Sequence, residues 1–309
     1  MEKKVFLLDA FALVFRAYYA LIRSPRLTSK GKNTNAQFGF TNALIDLINK
    51  QKPSHLAVCF DTAAPTERHT DFADYKANRQ EAPEDLLASI PDIKKIIEGL
   101  NIPIIETDGF EADDVIGYVA TQLRQDGEKV IIMSSDKDFL QLVNKDVSVY
   151  SPTKKKVYNI NEVVEEYGFH PHNFINFRMI DGDKSDNVEG IPGLGLKTII
   201  KSFPLLTDEE VHTTESMLEF IKTQPKKTKA HELFENNLAI LERNRKLMQL
   251  SEPEFSGNLR MKIIDRFEEP APKFDKQGFL KVGLKTHILD SFPNVLDWLQ
   301  STFSHISKF

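Results

Sequence analysis

The sequence predicts an α/β fold, a layered and mostly parallel sheet with helices on both faces, followed by a helical module. Over the first two-thirds of the chain, short apolar runs alternate with stretches of helical spacing, and several acidic residues stand where an apolar run ends. After about Pro171, helical patterns separated by glycines replace the strand patterns. We therefore expect a first domain at residues 1–170 and a second, helical domain at residues 171–309.

Individual elements of the first domain follow from the apolar pattern. Runs with the composition of buried strands lie at 5–8, 56–60, 102–105 and 130–133. Helical spacing is present at 35–50, at 84–100 and at 115–127. The polar stretch 62–83 between two strands is a long excursion, and such excursions in compact domains are functional or disordered.

Composition places the chain among ordinary globular proteins, with 41% hydrophobic and 28% charged residues. No apolar run approaches the ~18 residues of a membrane span, and the first residues resemble a strand more than a signal peptide. We therefore expect a cytoplasmic protein with no membrane partner. The single cysteine, Cys59, excludes an internal disulfide and a multi-cysteine zinc site, and its apolar neighbours predict a buried strand residue.

Carboxylates at five separate places are the strongest sign of chemistry. They are Asp9; Asp61; Glu111, Asp113 and Asp114; Asp136 and Asp138; and Asp183 and Asp186. Hard oxygen ligands of this kind suit Mg²⁺ or Mn²⁺, whereas zinc prefers histidine and cysteine. The net charge of −5 does not exclude nucleic acid, because without these acids the rest of the chain is net positive.

Spacing brings some of these acids together locally. Asp136 and Asp138 are expected to share a face, if the chain is extended there. Asp183 and Asp186 are expected to share a face on a helical turn. Glu111 and Asp113 can act together only if Glu111 lies at or before the start of its helix. The alternative is that these acids merely favour a helix N-terminus, which applies above all to Asp114.

Five strings, taken together, resemble the 5′ nuclease domain of bacterial DNA polymerase I and the wider flap endonuclease family. They are LLDAFALVFRAYYAL, VCFD ending at Asp61, EADD at 111–114, SSDKDFLQL around Asp136, and GDKSDN followed by GIPGLG. The order of these strings and the intervals between them agree with those of the family over roughly residues 4–205. The resemblance implies a PIN-like layered sheet, a helical arch insertion at 62–83 and a C-terminal helix-three-turn-helix module, which is a helix-hairpin-helix. Ala10 departs from the glycine common in polymerase I relatives, and the match fades beyond about residue 205.

The resemblance also implies roles for the carboxylates, as ligands of two divalent ions. Asp9, Asp61 and Asp113, with Glu111 nearby, match the acids around a first ion, and Asp136, Asp138, Asp183 and Asp186 match those around a second. Asp114 is a further candidate ligand. Two such ions, roughly 4 Å apart, would activate a water, clamp the scissile phosphate and stabilise the leaving 3′ oxygen, without a covalent nucleophile.

The excursion matches the family's arch, which encloses the 5′ strand of DNA. The matching residues are Arg68, Tyr75, Lys76 and Arg79. Lys76 and Arg79, three apart, would share a helix face and offer two cations to a phosphate. Tyr75 would offer a stacking surface to a base, and Arg16 could reach substrate phosphate or pair with an active-site acid. The alternative for the arch is a solvated, charged helix.

The segment GIPGLG resembles the hairpin of the helix-hairpin-helix. It lacks the GxxxxGK[ST] spacing of a phosphate loop. By the resemblance, Gly190, Gly193 and Gly195 let backbone amides approach a DNA phosphate, often with a K⁺ ion as a bridge, and Lys197 and Thr198 open the next helix. A purely structural turn between helices is the alternative.

The function that these features predict is that of a structure-specific 5′ nuclease, a 5′-to-3′ exonuclease and flap endonuclease acting in primer removal or repair. Its partner would be DNA with a 5′ flap, a nick or a free 5′ end, and we expect a monomer; protein partners are not predicted. Two alternatives stay open: a non-catalytic binder of branched DNA and a PIN-type RNase. The sequence also leaves open whether the chain is free-standing or a domain of a polymerase.

Overall fold

A single six-stranded sheet organises the computed structural model, which describes residues 4–62, 66, 68, 70, 72–79, 81–123, 128–251, 255–268, 275–292 and 294–303. The strands are β1 (Lys4–Asp9), β2 (His55–Cys59), β3 (Ile104–Ile105), β4 (Lys129–Met133), β5 (Val147–Ser151) and β6 (Lys156–Tyr158). Their order is β3-β2-β1-β4-β5-β6. All neighbours pair in parallel except β6, which runs antiparallel to β5. The four predicted strands are present, and β5 and β6 are additional.

The helices that accompany the first strands are α1 (Ala10–Ala20), α2 (Asn35–Gln51), α3 (Glu84–Leu87), α4 (Ile90–Gly99) and α5 (Ala112–Tyr118). The single helix predicted over 84–100 is wrong, because it divides at Ser89. Pro91 lacks an amide hydrogen and its ring would clash with the carbonyl of Leu87, so a continuous helix is disfavoured there. A π-helical turn, Val119–Leu123, follows α5, and the predicted helix end at Gly127 lies outside the described residues.

The rest of the chain is mainly helical. It contains α6 (Ile160–Tyr167), α7 (Phe174–Asp181), α8 (Leu196–Ser202), α9 (Thr214–Thr223), α10 (Lys229–Glu235), α11 (Leu238–Met248), α12 (Gly257–Glu268), α13 (Lys276–Lys285) and α14 (Val295–Phe303). Strands do not disappear after residue 171, as the sequence predicts, because β7 (Gly182–Asp183) and β8 (Val188–Glu189) form a small antiparallel hairpin. That hairpin carries two of the carboxylates.

Helices cover both faces of the sheet, which confirms the predicted fold class. Along β1, Val5 and Leu7 point into one apolar cluster, while Phe6 and Leu8 point into another. The first cluster includes α5 and extends without interruption into α7–α11. The second contains α1, α2, α4 and α13. Cys59 is buried in β2, as predicted. The division at residue 170 remains a prediction, since the first cluster takes residues from both sides of it.

The segment 275–303 returns to the face of the sheet that α2 and α4 cover. Phe279 is buried there, and the Trp298 indole donates a 2.9 Å hydrogen bond to Asn42. Helices α13 and α4 meet through glycines: a Cβ added to Gly278 would lie 2.3 Å from the Gly99 carbonyl oxygen. Only glycine permits this approach. No helix in the described part of the chain is long and apolar enough to cross a membrane.

Candidate active site

Four aspartates meet at the carboxyl edge of the sheet. Asp9 ends β1, Asp61 follows β2, and Asp136 follows β4, and these three strands are neighbours in the sheet. Parallel strands end at one edge, so these side chains converge there. Asp113 joins them from the first turn of α5. We call these four the inner carboxylates.

Local hydrogen bonds fix the directions of the inner carboxylates. Asp9 caps α1 by accepting from the Ala12 amide at 3.1 Å, and its other oxygen accepts from the Ser134 hydroxyl at 2.7 Å. Ser134 in turn accepts from the Asp136 amide at 3.0 Å. Asp61 accepts from the Ala112 amide at 2.7 Å, which ties β2 to the start of α5. The sequence analysis missed Ser134, although it stands directly at the end of the strand before the acids.

Burial and mutual repulsion raise the pKa of every inner carboxylate. Burial, partly offset by hydrogen bonds, raises the pKa of Asp9 to about 6, and burial together with the charge of Asp138 raises that of Asp136 to about 7. The pKa of Asp113 is raised well above its usual value by burial and then by Asp136, Asp9 and Asp61. The pKa of Asp61 is raised mainly by burial. In each case burial is the largest cause, because it disfavours the charged form of the carboxylate.

The other five acids are held by cationic side chains, and we call them the paired carboxylates: Glu111, Asp114, Asp138, Asp183 and Asp186. Arg68 bridges two of them, with distances of 2.6 Å to Glu111 and 2.5 Å to Asp114. Lys76 reaches Glu111 at 2.6 Å. Arg178 pairs with Asp138 and Asp183, and Arg79 pairs with Asp186.

Glu111 and Asp114 frame the start of α5. Glu111 is the residue before the helix, as the sequence analysis requires for it to act with Asp113. Asp114 accepts from the Glu111 amide at 3.0 Å, so it also stabilises the helix N-terminus. Arg68 and Lys76 lower the pKa of Glu111 against the effect of burial. The predicted contact of Arg68 with DNA is not available in this arrangement, because the guanidinium is buried against these two acids.

Two local geometries predicted for the acids are wrong. Asp136 and Asp138 do not lie on an extended chain: Asp136 caps the 3-10 helix Lys137–Leu142 and accepts from the Asp138 amide at 2.7 Å. Asp183 and Asp186 do not share a helical turn. They stand in the β7-β8 hairpin, where the Asp186 amide donates to Asp183 at 3.3 Å. In both places a side-chain acceptor competes with the backbone carbonyl that regular structure would use.

The arch segment lies against the acids. Of the predicted arch, residues 63–65, 67, 69, 71 and 80 lie outside the described residues. Lys76 and Arg79 do not share a helix face, because Lys76 has a φ of 58° and its amide donates to the Asp186 carbonyl at 2.8 Å. Tyr75 does not offer a free stacking face: it is buried, with its hydroxyl 3.1 Å from Glu111 and Lys76 over its ring.

Arg16 and the glycine segment make no ion pair with the acids among the described residues, and Gly190 directly follows the β7-β8 hairpin that carries Asp183 and Asp186. Arg16 is exposed on α1 and lines a cavity of about 810 Å³ between α2 and the sheet. Gly190 is a packing residue, since an added Cβ would lie 2.3 Å from the Asp181 carbonyl oxygen. Gly193 has a φ of 89°, and Gly195 precedes α8 with open space around it. Lys197 is exposed, and Thr198 is half-buried in the first turn of α8.

Comparison with known proteins places this arrangement in a family. Residues 4–168 match the model of the 5′-3′ exonuclease N-terminal resolvase-like domain. The chain belongs to the 5′-3′ exonuclease family. It is 44% identical over 198 residues to a 5′-3′ exonuclease of Aquifex aeolicus, covering 64% of this chain and 68% of the relative. It is 37% identical to a DNA polymerase I of Mycobacterium tuberculosis, covering 79% of this chain but only 27% of that much longer relative.

Solved structures share the fold of this exonuclease family member. A T5 5′-exonuclease with bound zinc superposes with a TM-score of 0.67 at 18% identity, covering 98% of this chain and all of the other. The catalytic core of Rad2 in complex with DNA superposes with a TM-score of 0.54 at 15% identity, covering 100% and 93%. These likenesses confirm the predicted fold class.

The donor set of this exonuclease-family site fits a hard divalent cation. The inner carboxylates offer oxygen donors alone, which suit such a cation. Among the described residues, no three acids, histidines or cysteines are already grouped so as to hold one metal ion.

The raised pKa values predict an unusual dependence of stability on pH. The native protein keeps protons on Asp9 and Asp136 at pH values where the unfolded chain has lost them. The contribution of these two groups to the free energy of unfolding is therefore present at low pH and is lost as the pH rises to about 7. We expect the Tm difference between the wild type and Asp136→Asn, measured in chelator, to change by at least ~2 °C between pH 5 and pH 8. The variant should gain relative stability as the pH rises. A difference that is constant over this range would contradict the shift.

Proposed function

We propose that this chain is a divalent-metal-dependent 5′ nuclease that hydrolyses phosphodiester bonds of DNA bearing a 5′ flap, a nick or a free 5′ end. The observation that carries the proposal is the group of four partly buried aspartates at the carboxyl edge of the sheet, none of which forms an ion pair with a described residue. Partly buried carboxylates that face one another repel, so a site that keeps four of them together favours a cation. Action as a monomer in the cytoplasm, in primer removal or repair, is part of the proposal.

The inner carboxylates, together with Asp138 and Asp186 beside Asp136, would hold the ions, and Mg²⁺ or Mn²⁺ suits their oxygen donors. When bound, two ions supply an activated water and charge for the scissile phosphate and its leaving oxygen. Asp136 is a neighbour of Asp9 and Asp113 as well as of Asp138. We therefore assign Asp136 to a position between the two ion sites, whereas the sequence analysis assigns it to the second site alone.

The arch residues would bind the substrate. Lys76 and Arg79 now neutralise Glu111 and Asp186 at the rim of the acid group. With an ion held at this site, the same acids would need less compensation from Lys76 and Arg79, and both cations would be able to turn to a phosphate. Because Arg79 is half-exposed, breaking its ion pair with Asp186 costs little free energy. These two side chains would then stabilise the charge that develops on the phosphate during cleavage.

The decisive experiment is cleavage of a duplex carrying a labelled 5′ flap, with the same duplex without a flap and single-stranded RNA beside it. We expect Mg²⁺-dependent release of the flap and no comparable cleavage of the RNA. Binding of the flap duplex without cleavage in Mg²⁺ or Mn²⁺ would support a non-catalytic binder instead. Preferential cleavage of the RNA would support a PIN-type RNase.

The glycine hairpin is proposed as the anchor for duplex DNA, with K⁺ as the expected bridging ion. Gly193 is exposed and its φ of 89° is unfavourable for a side chain, although no atom lies closer than 3.8 Å to an added Cβ. Gly193→Val is therefore expected to distort the hairpin and to weaken duplex binding by about tenfold, equally for any sequence. Fluorescence anisotropy in Ca²⁺ measures this.

Gly195→Ala is the matched control for the hairpin. Gly195 has an ordinary extended φ and no atom within 4 Å of an added Cβ, so its affinity for duplex should stay within about twofold of the wild type. Equal affinities for Gly193→Val and Gly195→Ala would remove the hairpin from the proposed DNA contact. Sequence-dependent loss would show that the segment reads bases.

A further inference from the structure

One arginine of the site lies inside the protein. Arg178 stands in α7 within the apolar string FINFRMI, and its side chain has 0% relative exposure. Its Nε donates to Asp138, its Nη2 donates to Asp183, and its Nη1 donates to the Gly182 carbonyl at 2.7 Å. The guanidinium therefore joins two carboxylates from separate elements, the 3-10 helix after β4 and the hairpin strand β7.

The two carboxylates use their oxygens differently. Both carboxylate oxygens of Asp183 accept hydrogen bonds. One accepts from the Arg178 guanidinium, and the other accepts from the Ser185 amide at 2.7 Å and from the Asp186 amide at 3.3 Å. Asp138 gives only Oδ1 to Arg178. Its Oδ2 accepts no hydrogen bond from the described residues. Asp138 thus keeps one oxygen for a ligand, while Asp183 folds the hairpin that carries Asp186.

Burial distinguishes Arg178 from the cations on the arch. The Arg79 side chain is 50% exposed, so it can leave Asp186 for water or phosphate. Arg178 has no route to solvent, and a guanidinium without carboxylates in this position would be a buried unpaired charge. It also keeps Asp138 more acidic than burial alone would allow. Arg178 is therefore far less able than Arg79 to leave its carboxylates.

We propose that Arg178 is a positioning residue for the second ion site, fixing Asp138 so that its Oδ2 faces the ion and fixing the hairpin so that Asp186 does the same. This rests on the proposed function only in that divalent ions bind these acids. Arg178 itself contacts neither the ion nor DNA. The planar fork is essential to the role, because a single ammonium group cannot span both carboxylates with directed hydrogen bonds.

The test is Mn²⁺ binding to the whole chain without DNA, followed by calorimetry and by the electron paramagnetic resonance of free Mn²⁺. Groups that orient metal ligands typically contribute 10- to 100-fold to metal affinity. We expect Arg178→Met to weaken the weaker of two Mn²⁺ sites by that factor and to leave the stronger site within about threefold. Arg178→Lys keeps the charge and loses the fork, so it should resemble Arg178→Met.

Arg245→Met is the control for a general structural effect. Arg245 lies on the neighbouring helix α11, is half-buried, and donates to Asn176 at 2.6 Å. Its loss should leave both Mn²⁺ affinities unchanged. A second control addresses folding. Combining Asp138→Asn with Arg178→Met leaves less uncompensated buried charge than Arg178→Met alone does. If Arg178 acts through Asp138, the double variant binds the weaker ion no worse than Asp138→Asn does.

Each outcome separates the two proposals. No Mn²⁺ binding to the wild type would overturn the proposed function. Two ions bound by the wild type, with the same affinities in Arg178→Met, would overturn the positioning role alone. Full affinity in Arg178→Lys would show that Arg178 contributes charge and not geometry, which also overturns it. Loss of both Mn²⁺ sites in Arg178→Met, with a native circular dichroism spectrum, would also overturn the positioning role.

Discussion

Asp113→Asn is expected to abolish cleavage and, in chelator, to make the protein more stable. Asp113 faces three other acids in a partly buried position, so removing its charge relieves repulsion, by ~1 kcal/mol on the scale of favourable charge changes. The same charge is needed to hold a divalent ion. Loss of several kcal/mol of transition-state stabilisation corresponds to at least ~10³-fold in single-turnover rate. Flap cleavage in Mg²⁺ and urea unfolding in chelator measure the two effects.

Asp108→Asn is the matched control for this prediction. Asp108 is exposed, lies five residues before Asp113 and changes the net charge equally. Both its rate and its stability should stay near those of the wild type. An Asp113→Asn protein that is less stable than the wild type in chelator would show that Asp113 is structurally compensated. A rate within tenfold of the wild type would remove it from the ion site.

Arg68→Met is expected to destabilise the protein by about 3–5 kcal/mol, the usual effect of removing one partner from a buried ion pair. Arg68 is buried and bonds two acids that are themselves buried, Glu111 and Asp114. Without the guanidinium, Asp114 loses its cationic partner and Glu111 keeps only Lys76. Urea unfolding at pH 7 in chelator measures the loss. Mg²⁺ should reduce it, because an ion offers Glu111 a substitute cation.

Arg79→Met is the comparison for Arg68. Arg79 also pairs with an acid, but its side chain is half-exposed, and exposed pairs contribute ~1 kcal/mol or less. Combining Arg68→Met with Asp114→Asn should recover part of the loss, because it neutralises the acid that Arg68→Met leaves without a cation. Equal destabilisation by Arg68→Met and Arg79→Met would show that burial does not set the strength of these pairs.

The convergence of the inner carboxylates follows from sequence only in part. Acids placed after neighbouring parallel strands must meet at one edge, but the sequence pattern does not say which strands are neighbours. The position of Asp136 beside Asp113 depends on how the chain turns after β4, where the Ser134 hydroxyl joins Asp9 to the Asp136 amide. A serine gives no sequence signal for such a bridge.

The cations were harder to place than the acids. An arginine within the apolar string FINFRMI predicts a buried charge with a partner, and that signal for Arg178 was present in the sequence. The conformation of the arch, in contrast, has no such signal in the sequence. Lysine rarely adopts positive φ, so the turn at Lys76 contradicts the helical interpretation of ADYKANR without any local warning. Contacts with the β7-β8 hairpin, more than a hundred residues away, impose it.

The return of residues 275–303 to the face formed by α2 and α4 has a consequence for synthesis on the ribosome. The strands and helices of residues 4–105 emerge first, but Phe279 and Trp298 close their outer face only after the intervening residues have been made. At about 5–20 residues per second, that interval lasts roughly 10 to 40 s. During it the nascent chain presents an apolar surface to which a chaperone could bind.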